Sequence, residues 1–414
     1  MTTTAETETP PAPAPEPETP RRRSLGSNTV VVTVLAFVAA MAVGGILIAF
    51  ADEQTRTASS YFFAYPWDTF RYGFAAIGNG YLALFEGAIF DPGRAANGTL
   101  NGYLGPISET LTSATPLILG GLSVGLAFRA GLFNIGGQGQ IILGAVFAGF
   151  VGFHWDMPIG IHVIAAVLAG ALGGALWGGL AGLLKAKTGA HEVISTIMLN
   201  YVALDLLGYL LGVKGFQAPP YGQAISENID DNARLPHLLG SSMRVNVSLF
   251  IALLGAVFFW WLMTRSTLGF KLRAVGGNQF AARTAGISVE RGYIVVMLIA
   301  GALAGLAGVA QILGTNPAIT GDIDAGIGFD AITVALLGRA NAGGTVLAGL
   351  LFGALRAGGV QMQSSTGTPV DLVEVIQALI VMFIAAPALV RAIFRLRGRG
   401  GAVGAGELAK GWNG

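Results

Sequence analysis

The sequence predicts an all-α fold: a polytopic transmembrane helical bundle of about ten spans, with broken or re-entrant segments and both termini cytoplasmic. Three observations carry this. First, 53% of the 414 residues are hydrophobic and only 11% are charged, with 62 glycines and a mean hydropathy of +0.64. Soluble domains carry about 25% charged residues. Second, uncharged apolar runs near the ~20 residues that a helical span needs recur along the chain. Third, most of the 24 Lys and Arg fall on one side once ten spans are drawn. That side holds the arginines at 21–23, Arg129, Lys185, Lys187, the basic residues of 265–291, Arg339 and the basic C-terminal tail. Arg56, Arg71, Arg94, Lys214, Arg234 and Arg244 fall on the other. The bias of cytoplasmic loops toward Lys and Arg then sets the orientation.

Taken in order, residues 1–28 are rich in Pro, Thr and Glu and cannot bury a core, so they read as a disordered cytoplasmic tail. The run 30–50 is too long and lacks a clear cleavage site for a signal peptide, and reads as a retained first span. Further spans are expected near 107–128, 137–153, 158–184, 191–213, 246–264, 292–313, 326–340, 343–361 and 370–390. The eighth is short and contains Asp330, which suggests a half-helix. The transmembrane domain thus covers 29–395, and 396–414 is a second cytoplasmic tail. Two outer segments, 51–106 and 214–245, are expected as connecting loops or docking surfaces. The first carries an aromatic cluster, including Tyr61, Phe63 and Trp67, suited to a membrane interface.

Between the second and third spans stands Arg129-Ala-Gly-Leu-Phe-Asn-Ile-Gly-Gly-Gln-Gly-Gln140. Irregular backbone at membrane depth is tolerated only where protein or a watery cavity surrounds it, and in transporters such breaks lie near the substrate path. The amides of Asn134, Gln138 and Gln140 offer both donors and acceptors for a neutral solute. They could equally cap broken helix ends or bond between helices. In the fifth span Thr196 and Asn200 lie four apart, on one helical face, and are path candidates of the same kind.

The loop 265–291 is basic and contains a helix-competent centre. Asn278 is placed to N-cap a short helix over Gln279–Ala285, and Gly286 to end it.

Some functions are excluded or disfavoured. No cysteine is present, so thiolate metal sites and disulfides are ruled out, and the four histidines show no zinc-binding spacing. No GxxxxGK[ST] phosphate loop occurs, so the chain should not hydrolyse ATP itself. No nucleophile–base pair suggests a membrane enzyme, and no nucleic-acid partner is expected.

Four motifs resemble those of the permease subunits of bacterial ABC importers for nucleosides and simple sugars, within the larger permease family that includes branched-chain amino acid and ribose transporters. They are Gly131-Leu-Phe-Asn-Ile-Gly-Gly-Gln-Gly-Gln140, Glu192-Val-Ile-Ser-Thr-Ile-Met-Leu-Asn-Tyr201, Leu268 to Asn278 followed by Ala281 to Ile287, and Phe329-Asp-Ala-Ile-Thr-Val-Ala-Leu-Leu-Gly338. The resemblance covers about 105–390. It implies a multi-pass plasma-membrane protein that pairs with a second permease, identical or paralogous. It further implies that the chain binds no cofactor, leaving ATP-Mg to a cytoplasmic ABC ATPase. Solute would be delivered by an extracytoplasmic binding lipoprotein. By the same resemblance Gly276, Asn278, Ala281, Ala282, Arg283 and Gly286 belong to the loop that couples to the ATPase, and Asp330 lies in a functional motif. Phe133 could stack a base or sugar ring. Asp205 departs from the family pattern, in which an uncharged or aromatic residue is usual.

One alternative remains at this stage, an ion- or proton-coupled secondary transporter. Asp205, Asp330 and Glu374 would be its relay, since ionisable groups at membrane depth are costly and face protein or water. Arg356 could pair with Asp330 or with Glu374.

Overall fold

The computed structural model describes residues 29–395, so the two expected tails lie outside the described residues. The chain runs through α1 (Thr29–Ala51), α2 (Glu53–Ser60), α3 (Pro66–Ala88), α4 (Pro92–Ala95), α5 (Leu100–Arg129), α6 (Gly137–His154), α7 (Ile161–Thr188) and α8 (Glu192–Leu210). It continues through α9 (Ser248–Arg265), α10 (Thr267–Gly277), α11 (Gln279–Thr284), α12 (Val289–Gly314), α13 (Ile327–Leu337), α14 (Ala342–Thr366), α15 (Asp371–Ala385) and α16 (Pro387–Ile393).

The protein is an α-helical polytopic membrane protein. Among the described residues, seven helices are long and apolar enough to cross a membrane, or eight if α15 and α16, bent by 94°, form one span. The expected number is ten. All ten expected segments are helical, but α13 has only 11 residues, and α6 is held below the apolar standard by its two glutamines and terminal histidine. The bend after α15 falls at Ala386–Pro387. Proline has no N–H and clashes with the preceding turn, so a straight helix cannot continue through it.

The segment 51–106, expected as an outer connecting loop or docking surface, is not a plain loop. It holds α3, which does not stand out as an uncharged apolar run because Asp68, Arg71, Asn79 and Glu86 interrupt its apolar residues. This helix packs on α1 and α14. Tyr81 donates its hydroxyl to the Met41 carbonyl, and Thr110 Oγ1 on α5 reaches the Ala88 carbonyl at 2.6 Å.

Helix ends follow the sequence chemistry. Thr99 caps α5 by accepting from the Gly102 N–H at 3.1 Å, and Asn341 caps α14 through Gly343 at 3.3 Å. At the core, α12 lies against α5, α6 and α7, and α14 against α5. The helix–helix seams are built from small residues. A Cβ added to Gly174 of α7 would stand 2.6 Å from Gly305 Cα of α12. Such close approach lets dispersion and backbone contact hold helices together where lipid supplies no hydrophobic drive. The segment between α8 and α9 is clasped onto the turn after α12. Ser226 N donates to the Ile319 carbonyl at 3.0 Å, and Ile319 N returns a bond to Ser226 Oγ at 2.8 Å.

Candidate functional site

The break between α5 and α6 is the centre of a polar network. Asn134 and Gln140 face each other, and each donates its amide nitrogen to the other's carbonyl oxygen at 3.0 Å. Asn134 Oδ1 also accepts from the Gly136 N–H at 3.1 Å. From α8, Asn200 Oδ1 accepts the Gly139 N–H at 2.9 Å and its Nδ2 donates to the Ile135 carbonyl at 3.0 Å. Buried backbone groups left unpaired are costly, and these amides satisfy the ones that the break would orphan. All three are buried.

The other expected path residues divide. Thr196 is fully buried and spends its hydroxyl on the Glu192 carbonyl at 2.7 Å, one turn back in its own helix. Phe133 is half-buried, its ring 4.8 Å from that of Phe128. Gln138 is half-buried where α6 meets α13; a Cβ on Gly328 would lie 2.5 Å from Gln138 Cα. Asp330 of α13 forms an ion pair with Arg356 of α14 at 4.0 Å, which selects between the two partners the sequence left open for Arg356. Arg356 also donates to the Ala325 carbonyl. Asp205 and Glu374 stand on exposed faces of α8 and α15.

Beside the Asp330–Arg356 pair lies a polar cavity of about 350 Å³. Thr112, Ser113, Gln311, Asn316, Asp322 and Arg356 are among its lining residues. Sequence reasoning missed most of these. The available signal was Pro116 inside the apolar run of α5. Proline supplies no N–H, so the Thr112 carbonyl one turn earlier loses its helical donor, and Thr112 and Pro116 both line the cavity wall. Between the lining residues Asp322 and Ala325, Asp324 is 2% exposed, with Oδ2 unpartnered among the described residues. Burial lifts its carboxyl above the usual carboxylate range; a hydrogen bond from Gln138 acts in the opposite sense.

At the far end of α5 the break meets the basic loop. A Cβ on Gly276 would stand 2.6 Å from the Arg129 carbonyl oxygen. Gly131 needs its φ of +73° to pass this point, a region open to glycine at no steric cost. The expected short helix is present as α11. Asn278 Oδ1 accepts from the Phe280 and Ala281 N–H groups at 2.9 and 3.0 Å. The C-cap residue is Ala285, one position before the expected one, and Gly286 follows it at φ +77°. The helix α10 before it was not foreseen, because Gly269, Gly276 and Gly277 weaken its helical signal. Ala282 is buried with Val275 and Val289, and Arg283 pairs with Glu290 at 2.8 Å. Phe270 and Phe280 are left 62% and 70% exposed. Phe270, Arg273, Ala281 and Ala282 are part of the lining of an open groove.

A bundle of lipid-length helices, a polar interior break and a polar cavity beside an interior ion pair together describe a solute permease of the membrane. Residues 107–385 match the family described as the branched-chain amino acid transport system / permease component. The chain belongs to that family, and is an integral membrane permease subunit rather than an enzyme. It is 39% identical over 318 residues to the guanosine ABC transporter permease protein NupP of Bacillus subtilis, covering 76% of this chain and 88% of that protein. It is 38% identical over 299 residues to the glucose ABC transporter permease protein TsgB13 of Haloferax volcanii, covering 69% and 77% respectively. To the nucleoside ABC transporter permease protein NupB of Lactococcus lactis it is 34% identical over 287 residues, covering 67% and 79%. No solved structure matches. Nothing in the family match or in these relatives supports the ion-coupled alternative.

Proposed function

We propose that the chain is the membrane-spanning subunit of an ATP-driven importer for a nucleoside, with a simple sugar as the second candidate. The observation that carries this is the 39% identity across 76% of the chain to a relative named for guanosine. The sugar reading is kept because a relative named for glucose is almost as similar. Both solutes are neutral rings bearing hydroxyl groups. The balanced lining of the polar cavity, which holds both Arg356 and Asp322 with several hydroxyl and amide side chains, suits such solutes better than a strongly charged one.

In this reading ten segments cross the bilayer, the termini are cytoplasmic and the cavity opens on the outer side. There it would receive solute from an extracytoplasmic binding protein. Asn134, Gln140, Asn200 and Thr196 act by holding the break in shape. Gln138, Asp330 and Phe133 stand nearer the path. A second permease completes that path. The groove of α10 and α11 receives a cytoplasmic ATPase, with exposed Phe280 and Ala281 as contact residues. Domain closure in the ATPase would press on Gly276, and through it on Ala130 and Gly131 of the break.

The test is uptake of radiolabelled guanosine and glucose by cells expressing the complete transporter. ATP depletion should stop import, and an uncoupler at constant ATP should not. Import that survives ATP depletion and collapses with the uncoupler would sink the reading.

A further inference from the structure

The exposed faces of α7, α8 and α9, three membrane helices consecutive in the chain, differ in composition. That of α7 includes Ile161, Ile164, Leu168, Leu172, Leu176, Leu180 and Leu183. That of α9 includes Phe250, Leu254, Val257 and Trp261. Both are what lipid tails select. On α8 the exposed stripe includes the apolar Ile194, Met198 and Val202 but also Tyr201, Asp205, Gly208 and Tyr209. These residues recur at the three- and four-residue steps of one helical face. The opposite face holds Thr196, Asn200, Ala203 and Leu207, and through Asn200 it is fixed to the break. A Cβ on Gly208 would meet nothing within 4 Å. Asp205 lies about 20 Å up the helix from Glu192 at 1.5 Å per residue, and about 8 Å short of the helix end at Leu210. A carboxylate at that depth faces protein or water, not lipid.

We propose that Asp205 is a solute-contacting, specificity-determining residue of the import path. Its carboxylate accepts hydrogen bonds from hydroxyl or ring N–H groups of the nucleoside. Tyr201 and Tyr209, one turn to either side, offer aromatic faces to the base or sugar ring. This rests on the permease reading above, in which a second subunit closes the other side of the path. The same polypeptide segment then serves two ends. Its inner face holds the break through Asn200, and its outer face reads the solute through Asp205.

The absence of native cysteine makes the test direct. In the assembled transporter, single substitutions Asp205→Cys and Leu176→Cys are exposed to a charged, membrane-impermeant thiosulfonate. Asp205→Cys should label at least tenfold faster than Leu176→Cys, and the imported nucleoside should slow that labelling. Equal, slow labelling of both would mean lipid or a dry subunit contact at α8, and would overturn the proposal. Import is then compared in Asp205→Asn and Asp205→Leu complexes of matched assembly and ATPase activity. The first should keep part of the nucleoside uptake, and the second should lose at least tenfold. Parental uptake by Asp205→Leu would overturn the contact. The failures stay distinguishable. A parent complex importing neither nucleoside nor sugar sinks the permease reading and the solute contact with it. A parent that imports normally while Asp205→Leu matches it sinks the contact alone.

Discussion

Asn134, Gln140 and Asn200 are interior amides whose hydrogen bonds close on one another and on the backbone of the break. Replacing Asn200 by Leu keeps its bulk but leaves the Gly139 N–H and the Ile135 carbonyl without partners. Each buried group left unpaired costs about 1–3 kcal/mol. Asn200→Leu should therefore lower the melting temperature of the purified protein in detergent by several degrees, whereas Asn200→Asp, which keeps the acceptor for Gly139, should lose less. Equal melting of parent and Asn200→Leu would refute the bracing role. Asp324 gives the opposite sign. Its carboxyl is buried and its proton affinity is raised, so the folded state favours the protonated form. The stability this contributes is full below the ordinary aspartate pKa of about 4 and is lost as pH rises through the higher folded value. Asp324→Asn removes that loss. The variant should melt above the parent at pH 7, and the gap should narrow as pH falls toward about 4. A variant less stable than the parent at pH 7 would show that the ionised carboxylate has a partner worth more than its burial costs.

At the scale of elements, α10, α11 and the break form one mechanical unit. Asn278 caps α11, and Gly276 of α10 lies against Arg129 and Ala130. Gly276→Ala puts a methyl 2.6 Å from the Arg129 carbonyl oxygen, and backbone cannot yield there as a flexible side chain would. The groove beside Phe270 and Ala281 is unaltered by this change. The ATPase should thus co-purify in parental yield while import falls at least tenfold. Loss of co-purification would mean that Gly276 shapes the docking groove itself. How much of this was legible in the sequence depends on how local the cause is. Asn278 and Gly286 bracket α11 by side-chain capping and left-handed backbone, both local signals, and the helix was read to within a residue. The pairing of Gly276 with Gly131 joins positions far apart in the chain, and no periodicity carries it. The amides of the break were recognised as a cluster, but only the fold shows that Asn134 and Gln140 bond to each other. The helix α3 was missed for a different reason: its charged residues defeat a hydropathy scan, while its packing on α1 and α14 is tertiary.

At the scale of the molecule, the glycines are what allow the helices around the break to close. The seam joining α6, α7 and α12 brings Gly144, Gly174, Gly301 and Gly305 together. In lipid, apolar side chains gain little by leaving tails for a neighbouring helix, so close backbone approach and dispersion carry the association. Bulk on the seam and bulk on the lipid face should therefore have unequal effects. Gly174→Leu drives a side chain into Gly305 Cα at 2.6 Å. The helices must separate, and α6, which bears Gln138 and Gln140, moves with them. Overpacking a tight interior costs about 1–3 kcal/mol and at times more. Leu176→Ala removes comparable bulk from the same helix, but at a residue 53% exposed. Its melting temperature should stay within about a degree or two of the parent, because surface changes rarely exceed ~0.5 kcal/mol. Gly174→Leu should melt several degrees lower and lose import even where expression is matched. If the two variants melted alike, the glycine seam would not be what sets the spacing of α7 and α12, and the position of the break would have to be held by α5 and α14 instead.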